Sequence, residues 1–164
     1  MTRRPPFQYL GLDYFGPVYV RATEPPPRKS WVCLFVCSST RAVHLELVND
    51  MTTDEFIMCF WRFVARRGVP TDVLSDNAKH FHSASTILDR FWLQNITSDD
   101  VQQFAAQNGI TWHFTPERAP WFGGMYERLV GTVKRALCKS MGRLLLSPVQ
   151  ISTLLTEIEA IVNS

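Results

Sequence analysis

The chain has 164 residues, 46% of them apolar and 20% charged, with a net charge of +2. That is enough for one globular domain with a full core, and it argues against a disordered chain or a disulfide scaffold. No apolar run approaches the roughly 18 residues of a bilayer-spanning helix, so no membrane partner is expected.

The first element read along the chain is "FQYLGLDYFGPVYVRA" (residues 7–22), an alternating strand with an expected break at Gly16-Pro17. "EPPPRKS" reads as a loop. "WVCLFVCSS" is a nearly continuous apolar run, as in a strand covered on both faces, and "AVHLELV" alternates as a half-buried strand does. Three strands with short connections predict an antiparallel meander. Thr52 and Glu55 form a capping-box pattern at the head of a helix that Gly68 closes. "TDVLSD" is a short strand ending at Asp76. Helices are expected around 85–93 and 98–108, the second capped by Ser98 with Asp99 and Asp100 in its first turn. "ITWHFT" is a fifth strand. A helix follows over about 124–141, and a last one begins at Ser147-Pro148, with Ser147 as cap and Pro148 at the first helical position. Strand four follows a helical crossover, so it is expected parallel to strand one at the centre of the sheet.

The cysteines read as reduced thiols of an intracellular chain. Cys33 and Cys37 share a strand face but lie roughly 13 Å apart, beyond disulfide reach. Neither CxxC pairs nor histidines at ligand spacing suggest zinc, and His80 and His82 read more plainly as loop residues.

Charge is unevenly spread. Between Arg118 and Arg143 stand six Lys/Arg and one acid, Glu127. Such a stripe suits a phosphate backbone, or equally a solvated helix face. Asp13 lies inside an apolar strand expected at the sheet centre, where a carboxylate costs several kcal/mol unless something positive meets it. Asp76 ends the strand expected beside it. A divalent cation would relieve both charges. Each acid also has a plainer reading: Asp13 can prepare the Gly-Pro turn, Asp76-Asn77 can cap a strand, and Glu127 can favour a helix N-terminus through the macrodipole. Met125, Leu129, Val133 and Leu137 mark the buried stripe of the basic helix, with Val130 and Ala136 beside it. Glu127, Gly131 and Lys134 fall on another face, one that could hold a metal at its head and a phosphate further along.

"YLGLDYFGP", "VLSDNAKHF" and "APWFGGMYERLVGTVKRAL", in this order, resemble the catalytic core of retroviral-type integrases, most closely those of Bel/Pao-type LTR retrotransposons. "RFVARRGVPTDVLSDN" and "NGITWHFTPERAP" are similar to the same family's lead-in and penultimate strand. The resemblance runs from Arg4 to about Leu146. It implies an α/β, ribonuclease-H-like fold: a five-stranded mixed sheet flanked by helices, with residues 1–6 a linker, 7–146 the core and 147–164 its C-terminal helix. It also implies a DDE triad of Asp13, Asp76 and Glu127 holding two Mg²⁺ (or Mn²⁺) ions. The activity implied is DNA 3′-end processing and strand transfer by a metal-dependent polynucleotidyl transferase, in the nucleus and as a homodimer or higher oligomer. Lys134 matches a position that contacts the element's DNA end, and Asn77 one beside the metals. Lys79, Arg128 and Arg135 are further candidates for the backbone of element-end or target DNA.

The pattern is departed from at Ala78, where the family usually has Gly, and at Gly131, where it has a second lysine. The alternative reading is a decayed or co-opted core that binds DNA or itself without turnover. A ribonuclease H would share the fold but leave the "PWFGGMYER" loop unexplained, and Asp72 and Glu46 are weak candidates for the fourth acid it would need. The stretch is expected to be an isolated core or a piece of a longer polyprotein.

Overall fold

The structure, a computed structural model, describes residues 5–75, 99–113 and 125–164, the last stretch with side chains from Arg128 onward. The element order among the described residues is β1 (Tyr9–Val20), β2 (Arg28–Cys37), β3 (Val43–Val48), α1 (Thr53–Arg67), β4 (Asp72–Leu74), α2 (Asp99–Gln107), β5 (Thr111–His113), α3 (Met125–Met141) and α4 (Pro148–Asn163). The expected helix at 85–93 and the Ser98 cap lie outside the described residues.

The five strands form one sheet in the order β3-β2-β1-β4-β5. The meander is antiparallel, while β4 runs parallel to β1 and β5 parallel to β4. This is the mixed sheet that the sequence predicts, with β1 at its centre. Both faces are covered. On one, Phe56, Cys59, Phe60 and Phe63 of α1 and Val101 and Ala105 of α2 pack on Leu10, Leu12, Cys33, Phe35 and Cys37. On the other, Val130, Val133, Leu137 and Met141 of α3 and Ile151, Leu155 and Ile158 of α4 pack on Val18, Val20, Val32, Leu34 and Val36. Cys33 and Cys37 do share a face, and all four cysteines are free. Burial pushes the Cys33 thiol well up, so it stays neutral in the core.

Three local expectations change. Gly16-Pro17 does not break β1, whose ladder runs on with a register shift between Phe15 and Val18. Phe15 stands opposite Val32 and Val18 opposite Ser30, so β1 carries one extra residue there, a β-bulge that accommodates a proline without an N–H to pair. Because strand side chains alternate, the bulge also resets the faces. Leu10, Leu12 and Tyr14 face α1, yet Val18 and Val20, also even-numbered, face α3 and α4 with Phe15. Second, β2 begins at Arg28 instead of Trp31, because Arg28–Ser30 pair with Val18–Val20 beyond the bulge. Third, only half of the Thr52/Glu55 capping box forms. Thr52 Oγ1 accepts from Glu55 N at 3.3 Å, but the Glu55 carboxylate accepts from Asn49 N at 3.0 Å, and Asp50 takes the Thr52 N–H at 2.9 Å. A complete box stands at α4, where Ser147 and Gln150 bond reciprocally ahead of Pro148.

The outer strand β3 is closed by α4. Asn163 accepts from Val43 N (2.7 Å) and donates to Val43 O (2.8 Å), and Glu159 accepts from Leu45 N (3.0 Å). Side chains thus occupy edge groups that another strand would otherwise pair with. Glu159 also pairs with Arg67, whose Nε donates to His44 Nδ1 at 3.1 Å. That leaves the His44 proton on Nε2, 2.8 Å from Glu46 Oε1.

Candidate active site

Asp13 is placed by strand alternation. Its neighbours Leu12 and Tyr14 point into the α1 core, so Asp13 points to the opposite face of the central strand, toward α3. Its carboxylate is engaged at both oxygens. Oδ1 accepts the Tyr14 backbone N–H at 2.7 Å, and Oδ2 lies 3.0 Å from the Lys134 ammonium. The side chains are 15% and 30% exposed respectively, so the pair sits at the margin of the core, not on the open surface. The compensating charge that the sequence demanded for Asp13 therefore comes from a lysine far along the chain.

The contact follows from how α3 lies on the sheet. Val130, Val133, Leu137 and Met141 are buried, Leu129 and Ala136 half-buried, and Lys134 stands at the rim of that stripe, over Asp13. The backbone of Glu127 lies in the first turn of the same helix, seven residues before Lys134, so the two α-carbons share a face about 10 Å apart along the axis. Helical side chains lean toward the N-terminus, which carries the lysine head back toward that turn. Arg128 and Arg135 are exposed and sit roughly a third of a turn around the helix from Lys134. Arg135 donates to Thr132 Oγ1 at 3.3 Å, and Thr132 in turn donates to Arg128 O at 2.8 Å. Gly131 lies between them on the helix surface; among the described residues a Cβ there would meet only Arg135, at 3.6 Å.

The other candidates lie at or past the ends of described segments. Asp76, Asn77 and Lys79 are outside the described residues, as is the side chain of Glu127. The strand leading to Asp76 is well anchored, however. Gly11, two residues before Asp13, is paired with Leu74, two residues before Asp76 in sequence. Ser75 is buried, donates its N–H to His113 O (2.9 Å) and accepts from Trp112 Nε1 (3.0 Å), while Asp72 meets His113 Nε2 at 2.9 Å. Trp112 and His113 are supports that sequence reasoning missed, since nothing in "ITWHFT" marks them as partners of β4.

Asp72 and Glu46, the weak candidates for a fourth acid, are both occupied elsewhere: Asp72 by His113, and Glu46 on the α1 side of the sheet by His44, Arg62 and Arg66. Burial pushes the Glu46 carboxyl up, but the His44 N–H and the Arg62 guanidinium outweigh it and hold the group below the usual carboxylate range. A cavity of about 430 Å³ opens beside that network, lined by Leu47, Glu46, Arg62 and Leu155; it belongs to the outer edge of the sheet, not to Asp13.

A family model described as "Integrase core domain" matches residues 6–120. The chain belongs to the integrase core domain family. The matched span takes in Asp13 and Asp76 and ends before Glu127 and Lys134. Solved structures share the fold of this integrase core. The HTLV-2 integrase catalytic core domain in complex with magnesium, in a dimeric form, is 17% identical with a TM-score of 0.56, over 97% of this chain and 85% of the other. The BIV integrase catalytic core domain is 13% identical with a TM-score of 0.59, over 96% and 81%. A simian T-cell lymphotropic virus intasome chain is 15% identical with a TM-score of 0.58, over 97% of this chain and 48% of the other. No curated protein sequence matches. At these identities the likeness speaks for the ribonuclease-H-like architecture: a five-stranded mixed sheet with helices on both faces.

The donor chemistry at Asp13 suits a hard divalent cation. Its Oδ2 is an anionic oxygen already placed against a positive group, and carboxylate oxygen is the ligand that Mg²⁺ prefers. Among the described residues no cluster of three His, Cys, Asp or Glu gathers around it, and the two acids that would complete a set are those whose carboxyl groups are not described. Among the described residues, no helix is long and apolar enough to cross a membrane.

Proposed function

We propose that this integrase core is a metal-dependent polynucleotidyl transferase that processes DNA 3′ ends and joins them to target DNA, with Asp13, Asp76 and Glu127 as its carboxylate ligands. The observation that carries this reading is the Asp13 carboxylate, inward on the central strand and held against the helix that bears Glu127. Membership of the integrase core domain family supports it. The integrase motifs of the sequence favour the Bel/Pao type, acting in the nucleus on element ends and target DNA. The HTLV-2 core that shares the fold is described in a dimeric and in a trimeric form, and self-association is proposed here too.

When bound, two Mg²⁺ (or Mn²⁺) ions would activate the attacking oxygen and stabilise the leaving one in an in-line displacement at phosphorus. The chain's own residues do the positioning. Asp13 is locked by the Tyr14 N–H, so its second oxygen keeps one direction. Arg128 and Arg135 face solvent on a common side of α3 and supply phosphate contacts that position DNA without reading bases. Lys134 stands between that side and Asp13. Asn77 and Lys79, next to Asp76 in sequence, are proposed to border the same DNA.

The test is rejoining of a branched DNA duplex that mimics a strand-transfer product, in Mg²⁺ or Mn²⁺. The wild-type chain should rejoin it, and Asp13→Asn, Asp76→Asn and Glu127→Gln should each reduce product below detection while far-UV circular dichroism stays unchanged. Wild-type rates in any of the three would remove that acid from the site. A wild-type chain that binds duplex DNA but rejoins none of it would instead favour a co-opted DNA-binding core.

A further inference from the structure

We infer that Lys134 is the resident counter-ion of Asp13, leaving that carboxylate when a divalent cation occupies it and becoming available to a DNA phosphate, so that one side chain links metal binding to DNA binding. The inference rests on the proposed role of Asp13 as a metal ligand.

Three observations carry it. First, the ammonium and a metal would compete for one oxygen. Asp13 Oδ1 accepts the Tyr14 N–H, and Oδ2 is the oxygen 3.0 Å from Lys134 Nζ, where an incoming ion would meet the ammonium. A divalent ion coordinates a carboxylate at about 2.1 Å, and a second positive charge against the same oxygen would face strong repulsion in a partly dehydrated site. Second, Lys134 can leave. Its side chain is 30% exposed, a compact charge on a flexible stem at the rim of the buried stripe. Third, it has a place to go. On one side of Lys134 the helix buries Val133 and Leu137. On the other it exposes Arg128 and Arg135, so an outward swing brings the ammonium toward the face already suited to phosphate. Without metal, the same lysine supplies the positive charge that makes a carboxylate tolerable on the central strand.

Direct Mn²⁺ binding, followed by the paramagnetic resonance signal of the free ion, provides a readout independent of catalysis. Lys134→Met should bind Mn²⁺ about tenfold more tightly than wild type, equivalent to roughly 1.4 kcal/mol. Lys134→Arg should restore the weaker binding, and Asp13→Asn should lose it. Equal Mn²⁺ affinity in wild type and Lys134→Met, with loss in Asp13→Asn, would overturn the counter-ion role and leave Asp13 a ligand. Undiminished binding in Asp13→Asn would overturn the ligand role itself. The second measurement is duplex DNA binding in EDTA as a double-mutant cycle. Asp13→Asn should tighten binding and steepen the dependence of log K on log salt by about one unit, and should do neither in the Lys134→Met background. The same gain in both backgrounds would reflect only the loss of a repulsive carboxylate and would overturn the link. Should Lys134→Met not fold, Lys134→Gln carries the same comparisons.

Discussion

Replacing Gly16 by Ala probes the bulge that divides β1 between its two cores. Gly16 has φ +148°, a conformation that L side chains rarely adopt. A Cβ there would lie 2.6 Å from Trp31 Cδ1, 3.1 Å from Trp31 Cγ and 3.3 Å from Ser30 O. The nearest atoms are the inner edge of an indole and a backbone carbonyl, neither of which yields cheaply. The φ strain costs about 1–3 kcal/mol, and forcing a methyl into a filled space about as much again. Together they predict roughly 2–5 kcal/mol of destabilisation. Urea denaturation at 25 °C reads this as a lower midpoint at unchanged slope. Repeating the substitution in a Trp31→Ala background separates the parts: the packing component should vanish and the backbone strain should stay. A loss within about 0.5 kcal/mol in the wild-type background would refute the reasoning, and an equal loss in both backgrounds would refute its packing half.

Three more outcomes can be measured. Glu46→Gln should cost about 1–3 kcal/mol at pH 7, since it replaces a carboxylate bonded to His44 and Arg62. Because the folded carboxyl titrates below its unfolded value of about 4.3, its contribution is full above that pH and is lost as the pH falls through the folded value. Wild-type and variant denaturation curves should therefore converge in acid, and a constant gap would refute the assignment. Asn163→Ala removes both hydrogen bonds to Val43 and should cost about 1–3 kcal/mol; amide exchange at Val43 should accelerate more than at Leu45, which Glu159 still holds. Phe63→Ala should cost about 3–5 kcal/mol by thermal or chemical denaturation, because Phe63 is fully buried, stacks on Phe35 at 4.3 Å and meets Phe7 and Phe60 edge-on or tilted.

The sequence by itself determined the order of the described elements, the central position of β1 and the stripe by which α3 packs, because periods of two and of 3.6 residues are local properties of the chain. It also determined that Asp13 needs a positive partner, since an apolar strand around a carboxylate states the difficulty without any coordinates. What meets Asp13 was not legible. Lys134 reaches it only because α3 crosses the sheet at one angle, and that angle is set by Val130, Val133 and Leu137 finding Val32, Leu34 and Val36. For the same reason Gly16-Pro17 read as a break. A bulge is recognisable only once Ser30 and Val32 stand opposite Val18 and Phe15, with Trp31 filling the space a side chain would need. The half-formed box at Thr52 follows the same rule: Glu55 turns to Asn49, a partner supplied by the end of β3 and not by the helix. Local patterns fix which face each residue presents; only packing decides which charges, rings and amides then meet across those faces.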